Sequence, residues 1–109
     1  LTPWELIERR LRAAAQADFL IALYNPSSKK RKDYLARACD ILLEYKEESI
    51  ICGIVRNIAR EEESMNILTL KELRNTEVDM FSTVYIGNKK TKIIKHKMVT
   101  PRGYRYDRK

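Results

Sequence analysis

The sequence predicts an α/β domain in which one mixed sheet of about five strands is flanked by helices. Two observations lead there. Short runs of consecutive apolar residues, Phe19-Leu20-Ile21-Ala22-Leu23-Tyr24 and Ile50-Ile51-Cys52-Gly53-Ile54-Val55, alternate with longer stretches whose apolar residues recur at helical spacing. Strands that are apolar at every position read as buried on both faces, as in sheets with helices packed against them. The chain's 109 residues, 44% hydrophobic and 34% charged, fit a single domain spanning 1–109. A chain of this size buries roughly 65% of the surface that its unfolded form exposes, enough for a core.

The elements follow in order. Thr2-Pro3-Trp4-Glu5 is a helix start: Thr2 as N-cap, Pro3 at the first helical position, Glu5 closing a capping box. Leu6, Ile7, Leu11, Ala14 and Ala15 continue it at helical spacing to Ala17. Asp18 breaks it, and the strand 19–24 runs until Asn25-Pro26-Ser27-Ser28 supplies a turn. A second helix spans Lys29 to Tyr45, with Tyr34, Leu35, Ala38, Ile41, Leu42 and Tyr45 on its apolar face. The strand 50–55 gives way to a polar loop, 56–64, and then to a short strand, Met65 to Thr69. Thr69 and Glu72 form a second capping box opening a short helix over Lys71 to Arg74. Ser82 to Ile86 is a strand closed by Gly87-Asn88. Thr91 to Ile94 and Met98 to Thr100 form two arms of a β-ribbon, although Lys95-His96 is not a favoured hairpin pair. The order is α-β-α-β-β-α-β-β-β. Its adjacent strand pairs near the end argue for a mixed sheet.

Composition excludes several function classes. Gly53, Gly87 and Gly103 are too scattered to build a dinucleotide fingerprint or a P-loop. One histidine and two cysteines exclude the common zinc sites within one chain, and also a disulfide scaffold, so no metal is expected. Cys39 and Cys52 read as small core hydrophobes, His96 as a solvent-exposed residue, and Glu61-Glu62-Glu63 as a solvated loop. No apolar run reaches 18 residues, so no membrane span is expected. Leu1 stands first with no charged-then-apolar leader behind it, which reads as a processed or truncated start. The net charge of +7 favours an anionic partner: nucleic acid, a phosphate or a polycarboxylate. Cations gather at Lys29-Lys30-Arg31-Lys32 and over the last fifth of the chain, a pattern that a solvated basic surface also produces.

Three apolar strands close in polar signatures: Tyr24-Asn25-Pro26, Arg56-Asn57 and Gly87-Asn88. Ligands of open α/β sheets bind beyond strand ends, and the same residues are also ordinary turn formers.

These segments carry a resemblance. Asp18 through Pro26 with Ser28-Lys29-Lys30-Arg31, then Gly53-Ile54-Val55-Arg56-Asn57 with Arg60-Glu61, then Glu77 through Asn88, then Met98 through Tyr104, stand in the order and spacing of the precorrin-3B C(17)-methyltransferases. The chain resembles the C-terminal half of that family, whose N-terminal half, with its glycine-rich loop, has no counterpart here. The resemblance implies a tetrapyrrole methylase domain of cobalamin biosynthesis, cytoplasmic, using S-adenosylmethionine on a tetrapyrrole (precorrin) substrate and expected as a homodimer. By position it implies cofactor contacts at Tyr24, at Asn57 and Ile58, and at Ser82 and Thr83. Ile58 replaces the small residue usual there, Ser82 replaces Thr, and Lys95-His96 replaces an Asp-Gly turn. No catalytic acid or base is assignable, and this portion alone is expected to be inactive. A methyl transfer by in-line displacement needs two positioned reactants rather than a nucleophilic side chain. The rival reading is a small basic nucleic-acid-binding module, against which Tyr24 and Tyr85 stand in apolar strands away from the basic run.

Overall fold

The computed structural model describes residues 3–24, 33–56, 65–79, 81–95 and 97–100. Helix α1 (Trp4–Gln16) leads into strand β1 (Ile21–Tyr24), helix α2 (Tyr34–Leu42), strands β2 (Ile51–Arg56) and β3 (Met65–Thr69), and helix α3 (Leu70–Arg74). Strands β4 (Ser82–Ile86), β5 (Lys92–Ile94) and β6 (Lys97–Val99) complete the order, which is the order expected. Pro3, extended at φ −63° and ψ 147°, is the N-cap of α1. The helix thus begins at Trp4, one residue later than expected, with Pro3 and not Thr2 at the cap and no side-chain cap hydrogen bond. Thr2 itself, and positions 29–32 expected to open the second helix, lie outside the described residues. At α3 the capping box is present. Thr69 Oγ1 accepts from the Glu72 backbone N–H at 3.2 Å, and Glu72 Oε1 accepts from the Thr69 N–H at 2.9 Å.

The α/β class holds, but the strand pairings differ from a five-stranded mixed sheet. Four strands form one sheet in the order β1-β4-β2-β3, and β5 and β6 form a separate two-stranded ribbon. Every pairing is antiparallel. The β1-α2-β2 unit made the sheet look partly parallel. Those two strands do run the same way, but β4 enters between them in the opposite direction and pairs with both, a split βαβ arrangement.

Register puts Ile21, Ile86 and Cys52 in one row and Leu23, Val84 and Ile54 in the next, all on the face that meets the helices. Against them pack Leu11 and Ala15 of α1, Leu35, Ala38, Cys39, Ile41 and Leu42 of α2, and Leu70 and Leu73 of α3. Among the described residues no helix covers the opposite face, where Tyr24, Tyr85 and Met65 are exposed, which corrects the expectation of strands buried on both faces. Along β1 the pattern alternates strictly: Ile21 and Leu23 buried, Ala22 and Tyr24 exposed. What lies over the open face is the ribbon, whose β6 meets β2. A Cβ on Gly53 would overlap the terminal methyl of Met65 and come within 3.3 Å of Met98 Sδ, so two methionines close over the backbone there.

Candidate functional site

Antiparallel pairing decides which strand ends share a location. Tyr24 at the end of β1 is paired with Thr83, and Thr83 in turn with Val55 near the end of β2. The third member of this end is therefore the beginning of β4, not its close. Gly87-Asn88 lies at the other end of the sheet, so the three polar signatures do not line one crevice. Asn57 and Ile58 lie outside the described residues.

At this end the open face carries a row of Tyr24, Thr83, Val55 and Met65, beside a row of Ala22, Tyr85, Gly53 and Ile67. Tyr24 is 72% exposed and Tyr85 36%. Between this face and the ribbon runs a groove of about 470 Å³, lined by Leu20, Ala22, Met65, Tyr85, Met98 and Thr100. Its walls are chiefly apolar and polarizable, which suits an apolar ligand group.

Ser82 sits on the other face, buried, and its hydroxyl is committed. It donates to Asp79 Oδ1 at 2.9 Å, and the same oxygen accepts from the Phe81 backbone N–H at 3.0 Å. Asp79 Oδ2 pairs with Arg56 Nε at 2.7 Å across the strand end. The Ser82 hydroxyl, then the Phe81 N–H and the Arg56 charge, hold the Asp79 carboxyl below the usual aspartate range against the opposing pull of burial. Thus Thr83 presents its side chain to the open face, while Ser82 anchors the approach to β4. Sequence reasoning did not single out Asp79. Its signal was the Asx turn, a carboxylate placed to accept the N–H two residues on, just before a strand.

The far end of the sheet is built differently. Lys46 is buried, with its ammonium donating to Asp18 Oδ1 at 3.0 Å and to the Gly87 carbonyl at 3.1 Å. Asp18, left-handed at φ 57°, ends α1 and accepts from the Lys89 backbone N–H at 3.1 Å, while its own carbonyl takes the Asn88 amide at 3.2 Å. These hydrogen bonds tie the end of α1, the segment after α2 and the end of β4 together. Cys39 and Cys52 are buried thiols pushed up to about 12 by desolvation, so neither is a nucleophile. Among the described residues no cluster of His, Cys, Asp and Glu could hold a metal ion, and no helix is long and apolar enough to cross a membrane.

Comparison with known proteins gives the geometry its context. No family model matches the chain. A probable cobalt-factor III C(17)-methyltransferase of Methanocaldococcus jannaschii is 46% identical over 111 residues, covering 95% of this chain and 45% of that protein. The precorrin-3B C(17)-methyltransferase of a Sinorhizobium species is 38% identical over 109 residues, covering 95% of this chain and 43% of that protein. The crystal structure of the methyltransferase CobJ superposes with a TM-score of 0.79 at 33% identity, over 92% of this chain and 42% of CobJ. The chain is similar to a part of the C(17)-methyltransferases. It spans less than half the length of these C(17)-methyltransferase relatives, and the similarity extends over nearly all of its own length.

Proposed function

We propose that this chain is the C-terminal domain of an S-adenosylmethionine-dependent precorrin-3B or cobalt-factor III C(17)-methyltransferase of cobalamin biosynthesis, acting in the cytoplasm. The supporting observation is identity of 38–46% over 95% of the chain to proteins bearing those names, with the fold of CobJ. The donor's sulfonium supplies the methyl group, and the protein's task is to hold donor and tetrapyrrole in line. Tyr24 and Thr83, adjacent on the open face, together with Asn57, Ile58 and the backbone at Ser82, form this half's wall of the cofactor cleft. The N-terminal half forms the other wall, and the whole enzyme is a homodimer. No catalytic acid or base is assigned.

The test is a chimaera in which this chain replaces the matching portion of the Methanocaldococcus relative. Methyl transfer to the precursor is expected, with Tyr24→Ala and Thr83→Ala raising KM for S-adenosylmethionine more than they lower kcat. A folded but inactive chimaera would overturn the reading. Sedimentation of the active chimaera as a monomer would remove the dimer. The chain by itself is expected to bind S-adenosylmethionine weakly in calorimetry. One wall supplies about half the contacts while the cost of immobilising the ligand stays, and a loss of ~3–4 kcal/mol weakens binding by a few hundred-fold. Micromolar binding by this chain alone would mean that the cofactor site is complete within it.

A further inference from the structure

The geometry points to the outer face of the β5–β6 ribbon as the surface that holds a flat, apolar molecule edged with carboxylates. The inference rests on the methyltransferase reading for the identity of that molecule, the tetrapyrrole substrate, and on the ribbon alone for its chemistry. Antiparallel pairing sets Lys92 opposite Val99, Ile93 opposite Met98, and Ile94 opposite Lys97. Because side chains alternate across a strand, Ile93 and Met98 share one face, and Met98 is the residue that closes over Gly53. Lys92, Ile94, Lys97 and Val99 therefore form the other face, turned away from the sheet.

What distinguishes that face is its chemistry. Ile94 is 47% exposed and Val99 36%, each with a lysine opposite, whereas Ile93 on the other face, 53% exposed, stands opposite Met98. Ion pairing does not account for the lysines. Among the described residues the ion pairs run through Arg12, Lys46, Arg56 and Arg74, and none uses Lys89, Lys90, Lys92, Lys95 or Lys97. The sequence has no aspartate or glutamate between Asp79 and Asp107, so the ribbon brings no counter-charge of its own. Asp18, at the ribbon's foot, accepts the backbone N–H of Lys89 and is already paired with Lys46. An apolar centre flanked by unpaired ammonium groups complements a ring with an apolar face and an anionic rim. A nucleic acid would instead track cations along its backbone and stack bases on aromatic rings, and the ribbon strands carry no aromatic residue.

Uroporphyrin, a porphyrin with eight carboxylates, is the probe, titrated into the 109-residue chain at low salt and followed by porphyrin fluorescence. Binding is expected, weakening as salt rises. Lys92→Ala with Lys97→Ala should weaken it about tenfold, the scale of two lost charge contacts, and Ile94→Ser should weaken it without changing the salt dependence. Lys71→Ala, on α3, should leave binding unchanged, and circular dichroism should show all variants folded. Equal affinity in the double-lysine variant, or no porphyrin binding, overturns the inference. So does a single-stranded DNA oligonucleotide that binds through the same lysines and displaces the porphyrin. The two readings fail separately. A chimaera that transfers methyl with unchanged substrate KM after both lysine substitutions sinks the ribbon site alone. An inactive chimaera with lysine-dependent porphyrin binding sinks the methyltransferase reading alone.

Discussion

The two faces of the four-stranded sheet have similar sequences and different fates. On one, Val84, Ile86 and Cys52 have no exposure at all and sit under three helices. On the other, Tyr24, Tyr85 and Met65 are exposed, and among the described residues only the ribbon lies across. An apolar run reports that a strand is suited to burial on both sides, but it does not report what does the burying. In a chain that spans less than half of its relatives, one face is packed under helices and the other stays largely open. Substitutions should separate accordingly.

The largest contrast is Leu42→Ala against Tyr24→Ala. Leu42 is completely buried, and its truncation should cost about 3 kcal/mol in urea unfolding. Tyr24→Ala should change stability by less than about 0.5 kcal/mol, and equal losses would mean that the open face is a second core. Next comes the polar staple beneath the covered face. Lys46→Met removes two charge-assisted hydrogen bonds and should cost about 2 kcal/mol, measured in the same way.

The Asp18 carboxyl in that staple gives a pH signature. Burial pushes its pKa up, but the Lys89 N–H and the Lys46 ammonium outweigh this and hold it below the usual aspartate value. The unfolded chain therefore takes up this proton at a higher pH than the folded one does. The stabilisation is complete above the ordinary aspartate pKa of about 3.9 and is lost as pH falls through the lower folded value. Asp18→Asn, which also suits the left-handed backbone, should flatten the acid limb of stability against pH. An unchanged limb would assign that limb to other carboxylates.

On the open face, Gly53→Val forces Met65 and Met98 apart. It should cost about 1 kcal/mol, in the range of overpacking, and loosen the ribbon, read as faster amide exchange in β6. The smallest effect is at the ribbon tip. Lys95 is left-handed at φ 51°, which costs a residue with a Cβ about 1 kcal/mol. Lys95→Gly should recover about half of that after glycine's greater loss of chain entropy. A lower melting temperature would show that the lysine side chain itself holds the turn.

Much of the fold was legible because local chemistry dictates it. Thr69 and Glu72 mark a helix start by spacing alone, and β3 and β4 begin and end where turn residues place them. Pairing was not legible in the same way. Nothing local to Ser82–Ile86 says that it slots between two earlier strands, since that depends on contacts dozens of residues away. The same non-local fact redrew the candidate site. Tyr24 and Thr83 meet because β4 runs backwards, and Gly87-Asn88 leaves the site for the same reason. The Lys46 staple was hidden because a lysine in a charged stretch looks like surface until a helix end and a strand end close around it.

The position of β4 also governs how this chain comes to be folded. The centre of the sheet is supplied by residues 82–86, which pair Ile21 with Ile86 across most of the chain. A growing polypeptide can fold the β2–β3 hairpin early, but β1 has no strand to pair with until Ile86 has been made. Until then Ile21, Leu23 and Ile54 have helices on one side and no neighbouring β4 backbone between them. Closing so long a loop is entropically slow, and it falls on the last steps of assembly. A ribosome stalled before Ser82 therefore holds a chain with two open strand edges where the finished protein has a middle, the form in which it is most exposed to aggregation.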